Sequence, residues 1–175
     1  MTKTANLTEV IGREAIHARV TELGRELSAF YGHEPVVAVC VLKGAFIFFS
    51  DLVRAMDIEP EIDFLRLASY GSETSSSGNV FLTKDLELEV EGKHVLIVED
   101  IVDTGRSMEY LVKLMERRGA RTVRICALID KAERRQREVR VDFVGFPLPK
   151  GFVVGYGLDH AERYRGLPAV YELKP

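Results

Sequence analysis

The sequence predicts an α/β protein with a doubly wound, mainly parallel sheet. Strand-like apolar runs alternate along the chain with segments of helical periodicity, the order expected for such a sheet. Residues 36–42, Val-Val-Ala-Val-Cys-Val-Leu, are apolar throughout, which is typical of a parallel strand buried on both faces. A length of 175 residues is that of a single domain.

Apolar spacing and helix-breaking residues define the individual elements. In the first helix the apolar residues fall on one stripe, and Gly32 and Pro35 end it. Gly44 separates the first buried strand from a second helix, and Gly119 ends a third. The predicted helices are residues 13–30, 45–56 and one around 108–115. The predicted strands are residues 36–42, 62–67, 95–98, 123–129, 141–144, 152–154 and 169–171.

Composition and charge exclude several classes of protein. Lys and Arg total 24 and Asp and Glu total 27, which gives a net charge of −3. The chain therefore lacks the excess of basic residues that is typical of a nucleic-acid-binding protein. Cys40 and Cys126 each lie in an apolar run and are predicted to be buried free thiols, not a disulfide framework. No apolar segment has the length of a membrane span, and the N-terminus does not resemble a signal peptide. We therefore expect a cytoplasmic protein with no membrane partner.

The most specific chemical signal lies in residues 95–107. A predicted strand ends in the adjacent carboxylates Glu99 and Asp100, and ligands of open α/β sheets bind at the carboxyl ends of strands. The turn that follows exposes backbone N–H groups at a helix N-terminus, an arrangement that binds phosphate. Helix capping by Asp103 or Thr104 is the alternative, but it does not explain three crowded carboxylates, which repel one another. The turn consists of Asp103, Thr104, Gly105, Arg106 and Ser107.

This segment resembles the phosphoribosyl-pyrophosphate signature of type I phosphoribosyltransferases, and the resemblance extends in order over residues 7–173. Leu42, Lys43 and Gly44 look like the pyrophosphate-binding turn of the purine-salvage branch, and Ser69 and Tyr70 look like the start of its flexible loop. The other matching residues are Lys131, Phe152, Val153, Val154, Asp159 and Arg165. The chain is thereby identified as similar to the bacterial hypoxanthine-guanine members of this family.

The resemblance implies a fold and a reaction. The expected fold is the type I phosphoribosyltransferase fold, a twisted, mainly parallel sheet flanked by helices. Residues 1–175 would form one domain, with a core of about 35–146 and a small hood formed by about 1–12 and 147–175. The implied reaction joins hypoxanthine or guanine to the phosphoribosyl group of phosphoribosyl pyrophosphate, giving IMP or GMP and pyrophosphate, with Mg²⁺ as cofactor. Small molecules would be the substrates, and the chain would form a homodimer or homotetramer.

The resemblance also implies roles for individual residues around the phosphoribosyl group. Glu99 and Asp100 would hold the ribose hydroxyls and the first metal, and Asp159 the second metal. Residues 103–107, here called the phosphate loop, would bind the 5′-phosphate, and Asp103 would accept the proton that the purine loses. The turn at 42–44, in which the Leu42–Lys43 peptide is often cis in this family, and Arg165 would bind pyrophosphate.

The remaining matches concern the purine. Lys131 only donates hydrogen bonds, so it suits the 6-oxo group of hypoxanthine and guanine and not the amino group of adenine. Phe152 offers a face for stacking, and the segment with Val153 and Val154 would read the edge of the base through its backbone. The alternatives are that Lys131 is a solvated lysine and Phe152 a core residue. Gly151 and His160 depart from the residues common in relatives, which leaves the ranking of guanine, hypoxanthine and xanthine open.

Two other segments leave alternatives open. The polar residues 69–79 are predicted to form a lid over the site, or else a plain surface loop. The arginines at 134, 135, 137 and 140 are predicted to form a solvated face. A coherent basic patch there would favour a second function, an RNA-binding regulator on the same fold. A third is phosphoribosyl transfer to another base, such as xanthine.

Overall fold

The computed structural model describes residues 6–69 and 80–174. The strands among these residues form two sheets. In chain order the elements are β1 (Asn6–Ile11), α1 (Arg13–Tyr31), β2 (Val36–Leu42), α2 (Phe46–Ala55), β3 (Glu61–Ser69), β4 (Val80–Lys84), β5 (His94–Val102), α3 (Arg106–Arg117), β6 (Thr122–Asp130), β7 (Phe143–Pro147), β8 (Val153–Val154) and β9 (Val170–Lys174).

The larger sheet has the order β4-β3-β2-β5-β6-β7 among the described strands. Every neighbouring pair is parallel except β3 and β4, which are antiparallel. The carboxyl ends of β2, β5 and β6 therefore meet at one edge of the sheet. This edge is where open parallel sheets bind their ligands.

Helices cover both faces of this sheet, which explains the uninterrupted apolar run in β2. Ala38 and Cys40 pack in one cluster with α1 and α2. Val37, Val39 and Val41 pack in a second cluster with α3. Because successive side chains of a strand point to opposite faces, a strand between two helical layers has no polar face. The α/β sheet predicted from the sequence is thus confirmed.

The smaller sheet joins the two ends of the described chain. β9 pairs with both β1 and β8, antiparallel in each case. Its first strand, Asn6–Ile11, pairs directly with Val170–Lys174. Among the described residues, no helix combines the length and the apolar character needed to cross a membrane.

Several predicted boundaries need correction. β5 does not end at Val98 but continues through both acidic residues to Val102, because Glu99 stays in register opposite Ala127 of β6. The strand predicted at 141–144 lies instead at Phe143–Pro147. β1, β4 and a short 3₁₀ turn at Ala132–Arg134 were not predicted. The helices differ by one or two residues at their ends.

Candidate active site

Two carboxylates lie near the carboxyl end of β5. Glu99 is only 8% exposed, and its Oε1 accepts a hydrogen bond from the Asp100 N–H at 3.1 Å. The Asp100 Oδ1 accepts from the Ile101 N–H at 2.7 Å. Burial, followed by the charge of Asp100, raises the pKa of Glu99 well above its usual value, and burial also raises the pKa of Asp100. A ligand that supplies a positive charge or hydroxyl donors would stabilise both ionised groups.

The phosphate loop connects β5 to α3. Gly105 is the N-cap of α3 and has a φ of +84°, a left-handed conformation that favours glycine. Because the N-cap position is occupied by a glycine, which has no side chain, the alternative interpretation that Asp103 or Thr104 is the N-cap is wrong. The first turn of a helix leaves N–H groups without acceptors inside the helix. At this terminus they are not used by a capping side chain and are available to an anion.

The turn at residues 42–44 packs directly against the acidic pair. The Leu42–Lys43 peptide bond is cis. A Cβ on Gly44 would overlap the carboxylate of Asp100, and a Cβ on Gly157, whose φ is +101°, would overlap the Gly44 carbonyl oxygen. Three segments that are far apart in the sequence are therefore packed so closely that a Cβ fits at neither glycine.

A cluster of opposite charges lies beside this turn. The Arg165 guanidinium donates to the Gly157 carbonyl at 2.8 Å and lies 2.8 Å from Asp159 Oδ1. Glu162 Oε2 lies 2.9 Å from Lys43 Nζ and 3.3 Å from Arg165 Nη2. These two cations lower the pKa of Glu162. Lys43 and Arg165, the two cations predicted to bind pyrophosphate, therefore share one carboxylate oxygen of this chain.

Lys131, Phe152 and His160 form the other end of the site. Lys131 is 4% exposed, and its Nζ donates to the Gly151 carbonyl at 2.7 Å. Burial lowers the pKa of Lys131, and the nearby Asp103 carboxylate opposes that shift. Phe152 is 52% exposed, with its ring 5.4 Å from the His160 ring in an edge-on arrangement. Lys131 is thus not a solvated lysine and Phe152 is not a core residue, so both alternative interpretations are wrong.

Comparison with known proteins agrees with this geometry. A model of the phosphoribosyl transferase domain matches residues 9–161. The chain belongs to the phosphoribosyl transferase family. The hypoxanthine-guanine phosphoribosyltransferase of Bacillus subtilis is 48% identical over 166 residues, which are 95% of this chain and 92% of that protein. The bifunctional protein TilS/HprT of Listeria monocytogenes is 48% identical over 167 residues, 95% of this chain but 26% of that protein.

Solved structures give the same result. A crystal structure of a hypoxanthine phosphoribosyltransferase from Staphylococcus aureus superimposes with a TM-score of 0.92 at 40% identity, covering 96% of this chain and 91% of that one. The larger sheet with its three helices is therefore the type I phosphoribosyltransferase fold.

Most of the residues predicted to form the phosphoribosyltransferase site lie at one edge of the larger sheet. Contacts link the acidic pair, the 42–44 turn, Asp159 and Arg165. Lys131 lies near enough to the phosphate loop for the Asp103 carboxylate to raise its pKa against the effect of burial. Val153 and Val154 are buried in β8, so their side chains are not available to a base. Ser69 is the last residue of β3. Tyr70 and the rest of the predicted lid, residues 70–79, lie outside the described residues.

The basic residues after Lys131 do not form a free basic patch. Arg134 Nε lies 3.0 Å from Asp103 Oδ1, Arg137 Nε lies 3.5 Å from Glu109, and Arg140 Nε lies 3.7 Å from Asp142. Arg135 contacts Asp130 and is 16% exposed, so for Arg135 the prediction of a solvated face is wrong. Acidic partners therefore offset the positive charge that an RNA-binding surface needs.

Sequence reasoning missed two residues near the site. Glu162 has a φ of +62°, and its N–H donates to Asp159 Oδ2 at 2.9 Å. Arg135 donates from Nη1 to the Asp103 carbonyl at 3.0 Å. Glu162 also pairs with Lys43, 119 positions away, and Arg135 contacts a residue 32 positions away, so these two contacts have no local sequence signal.

Proposed function

We propose that this protein is a purine-salvage enzyme that transfers the phosphoribosyl group of phosphoribosyl pyrophosphate to hypoxanthine or guanine, giving IMP or GMP and pyrophosphate. The observation that carries the proposal is a buried lysine, Lys131, whose Nζ donates to the Gly151 carbonyl immediately before the exposed Phe152 and which lies near the Asp103 carboxylate. A donor, a stacking face and a carboxylate are the three groups that a 6-oxopurine needs from this site. The names of two relatives, from Bacillus subtilis and Haemophilus influenzae, agree with this activity.

The phosphoribosyl half of the substrate would lie on residues 99–107. Its ribose hydroxyls would donate to Glu99 and Asp100, and its 5′-phosphate would accept from backbone N–H groups of the phosphate loop and from the hydroxyls of Thr104 and Ser107. Gly105 and Arg106 complete this loop. Lys43 and Arg165, with the backbone of Leu42 and Gly44, would bind the leaving pyrophosphate. Pyrophosphate would then replace the carboxylate of Glu162, which now lies between the two cations.

The acidic side chains fit a magnesium cofactor. Among the described residues, no three or more His, Cys, Asp or Glu side chains form a ready-made metal site. Mg²⁺ in phosphoryl-substrate enzymes is held by one or two carboxylates together with substrate oxygens and water, so a complete protein cage is not required. Glu99 and Asp100 would hold one ion and Asp159 a second. When bound, the ions neutralise charge on the leaving pyrophosphate.

The chemical step needs a proton acceptor. As the purine nitrogen bonds to C1 of the ribose, the bond from C1 to pyrophosphate breaks and the imidazole ring of the purine loses a proton. Asp103 would accept that proton as a general base. Arg134 Nε lies 3.0 Å from Asp103 Oδ1, and this ion pair would hold the carboxylate in place.

The purine half explains the choice of base. The Lys131 ammonium has three donors, one of which is used by the Gly151 carbonyl. A second donor suits the oxo group at position 6 and opposes the amino group of adenine. Phe152 would stack on the ring, and the backbone around Val154 would read its edge.

A substrate panel tests the proposal. Purified protein is incubated with phosphoribosyl pyrophosphate, Mg²⁺ and, in turn, hypoxanthine, guanine, xanthine and adenine, and nucleotide formation is followed by absorbance. Turnover of hypoxanthine or guanine with little turnover of adenine is expected. If none of the four bases were turned over, the proposal would be contradicted. If only xanthine were turned over, the protein would be a phosphoribosyltransferase for that base and not for hypoxanthine or guanine.

The remaining parts of the proposal concern organisation. By resemblance, the chain would be a single cytoplasmic domain of residues 1–175 that assembles into a homodimer or homotetramer. Analytical ultracentrifugation measures the assembly, and a monomer at assay concentration would contradict it. The proposed partners are the small-molecule substrates.

A further inference from the structure

Arg135 lies between the phosphate loop and the end of β6. Its side chain is 16% exposed and that of Asp130, its ionic partner, is 15% exposed. Nη2 of Arg135 donates to Asp130 Oδ1, and Nη1 donates to the Asp103 carbonyl oxygen at 3.0 Å. One guanidinium thus joins the last residue of β6 to the first residue of the phosphate loop.

The rest of the segment from 135 to 137 packs on the same loop. A Cβ on Gly105 would lie 2.9 Å from Arg135 Cδ, so the arginine stem covers this glycine closely. The N–H groups of Gln136 and Arg137 donate to the Thr104 carbonyl at 2.9 and 3.2 Å. Three consecutive loop residues are therefore held by three consecutive residues that follow the 3₁₀ turn.

The contact between Arg135 and Asp130 also concerns the purine-binding end of the site, because Asp130 immediately precedes Lys131. Asp130 lies opposite Val102 in the sheet, and the Lys131 N–H donates to the Val102 carbonyl at 2.9 Å. The phosphate loop belongs to the phosphoribosyl half of the site and Lys131 to the purine half. The Arg135 side chain contacts both the loop and the strand end that carries Lys131.

From these contacts we propose that Arg135 is a positioning residue that fixes the phosphate loop relative to the purine-binding end of β6. The inference rests on the proposed function. Arg135 contacts no reacting atom, and it acts through the Asp103 peptide and through Asp130. A planar guanidinium reaches two acceptors in fixed directions at once, which the single ammonium of lysine does not reproduce.

Steady-state kinetics on Arg135→Lys, Arg135→Met and Asp130→Asn test this role, with Arg140→Ala as control. Arg140 is 85% exposed, belongs to the same basic segment and contacts Asp142, away from the loop. For the three test variants we expect the KM for phosphoribosyl pyrophosphate to rise about tenfold or more while circular dichroism shows a folded protein. The control should match the unmodified protein in both respects.

The lysine variant separates positioning from charge. If Arg135→Lys keeps the KM for phosphoribosyl pyrophosphate, the positive charge suffices and the bridging role is wrong. If all three variants lose thermal stability but keep their KM below the melting temperature, Arg135 is a structural residue and the proposal is overturned. If the Arg135 variants do not fold, Asp130→Asn, which keeps the shape of its side chain, decides by the same criterion.

The outcome is distinguishable from a failure of the proposed function. If the unmodified protein turned over no 6-oxopurine, the function would be wrong, and titration calorimetry with phosphoribosyl pyrophosphate and Mg²⁺ would replace the kinetics. Weaker binding in the three variants than in Arg140→Ala supports the positioning role, and equal binding overturns it.

Discussion

Replacing Lys131 with methionine isolates the hydrogen bond that is proposed to select 6-oxopurines. Methionine keeps most of the length and volume of the buried lysine stem, so the surrounding packing changes little. The backbone hydrogen bond from residue 131 to the Val102 carbonyl is unaffected. The change removes the ammonium and leaves the Gly151 carbonyl without the donor that now lies 2.7 Å away.

The size of the effect follows from the kind of hydrogen bond that is lost. A bond from a charged donor contributes about 1.5–3 kcal/mol. At about 1.4 kcal/mol per factor of ten, kcat/KM for hypoxanthine and guanine should fall about 10- to 150-fold. Discrimination against adenine should fall by a similar factor, because the donor that opposes its amino group is gone.

The assay measures kcat/KM for each base, with Lys113→Met as the matched control. Lys113 lies on α3 with its side chain 61% exposed, and it pairs with Glu109 on the surface. If Lys131→Met is folded and uses both 6-oxopurines as well as the control does, Lys131 only ties β6 to the Gly151 carbonyl. The assignment of base recognition to it would then be wrong.

Four further outcomes are expected. Asp103→Asn should lower kcat about 10²- to 10⁴-fold with little change in the KM for phosphoribosyl pyrophosphate, and a raised KM with normal kcat would refute its role as general base. Gly157→Ala should weaken phosphoribosyl pyrophosphate binding in calorimetry, because its Cβ would overlap the 42–44 turn, whereas Gly166→Ala, which has open space, should not; equal binding would refute the packing argument. Burial raises the pKa of Cys40 to about 12 and also raises that of Cys126, so neither should react with a disulfide reagent at pH 8 before denaturant is added. Unfolded chains lose these thiol protons from about pH 9 while the native protein keeps them, so the free energy of unfolding should fall as the pH rises above 9; no fall would contradict the shift.

Local patterns predicted the elements whose burial is complete. β2 was predictable because both of its faces pack under helices, which leaves an apolar run. β4 alternates half-buried and exposed residues at a sheet edge, and β1 pairs with β9 at the opposite end of the chain. Neither strand shows a strong apolar signal, because neither is covered on both faces. The charges of Glu99 and Asp100 also made β5 look shorter than it is.

The site residues also divide into those with a local sequence signal and those without one. The phosphate loop was recognisable from consecutive residues, because its chemistry depends on a turn and the helix that follows it. The bridge from Arg135 to the Asp103 carbonyl and the ion pair of Glu162 with Lys43 join residues 32 and 119 positions apart. Contacts over such distances depend on sheet order and on the path of the chain after β8, and no local pattern encodes them.

Close contacts at three glycines connect the acidic pair at the sheet edge to the smaller sheet. Asp100 packs on Gly44, Gly44 packs on Gly157, and Gly155 packs so closely on the Ala169 carbonyl that a Cβ would overlap it. Ala169 directly precedes β9, which pairs with β1. A chain of close contacts therefore connects the Asp100 carboxylate in the larger sheet to β9 in the smaller sheet. We therefore expect that deleting β9 would leave the 42–44 turn against Asp100 without its support.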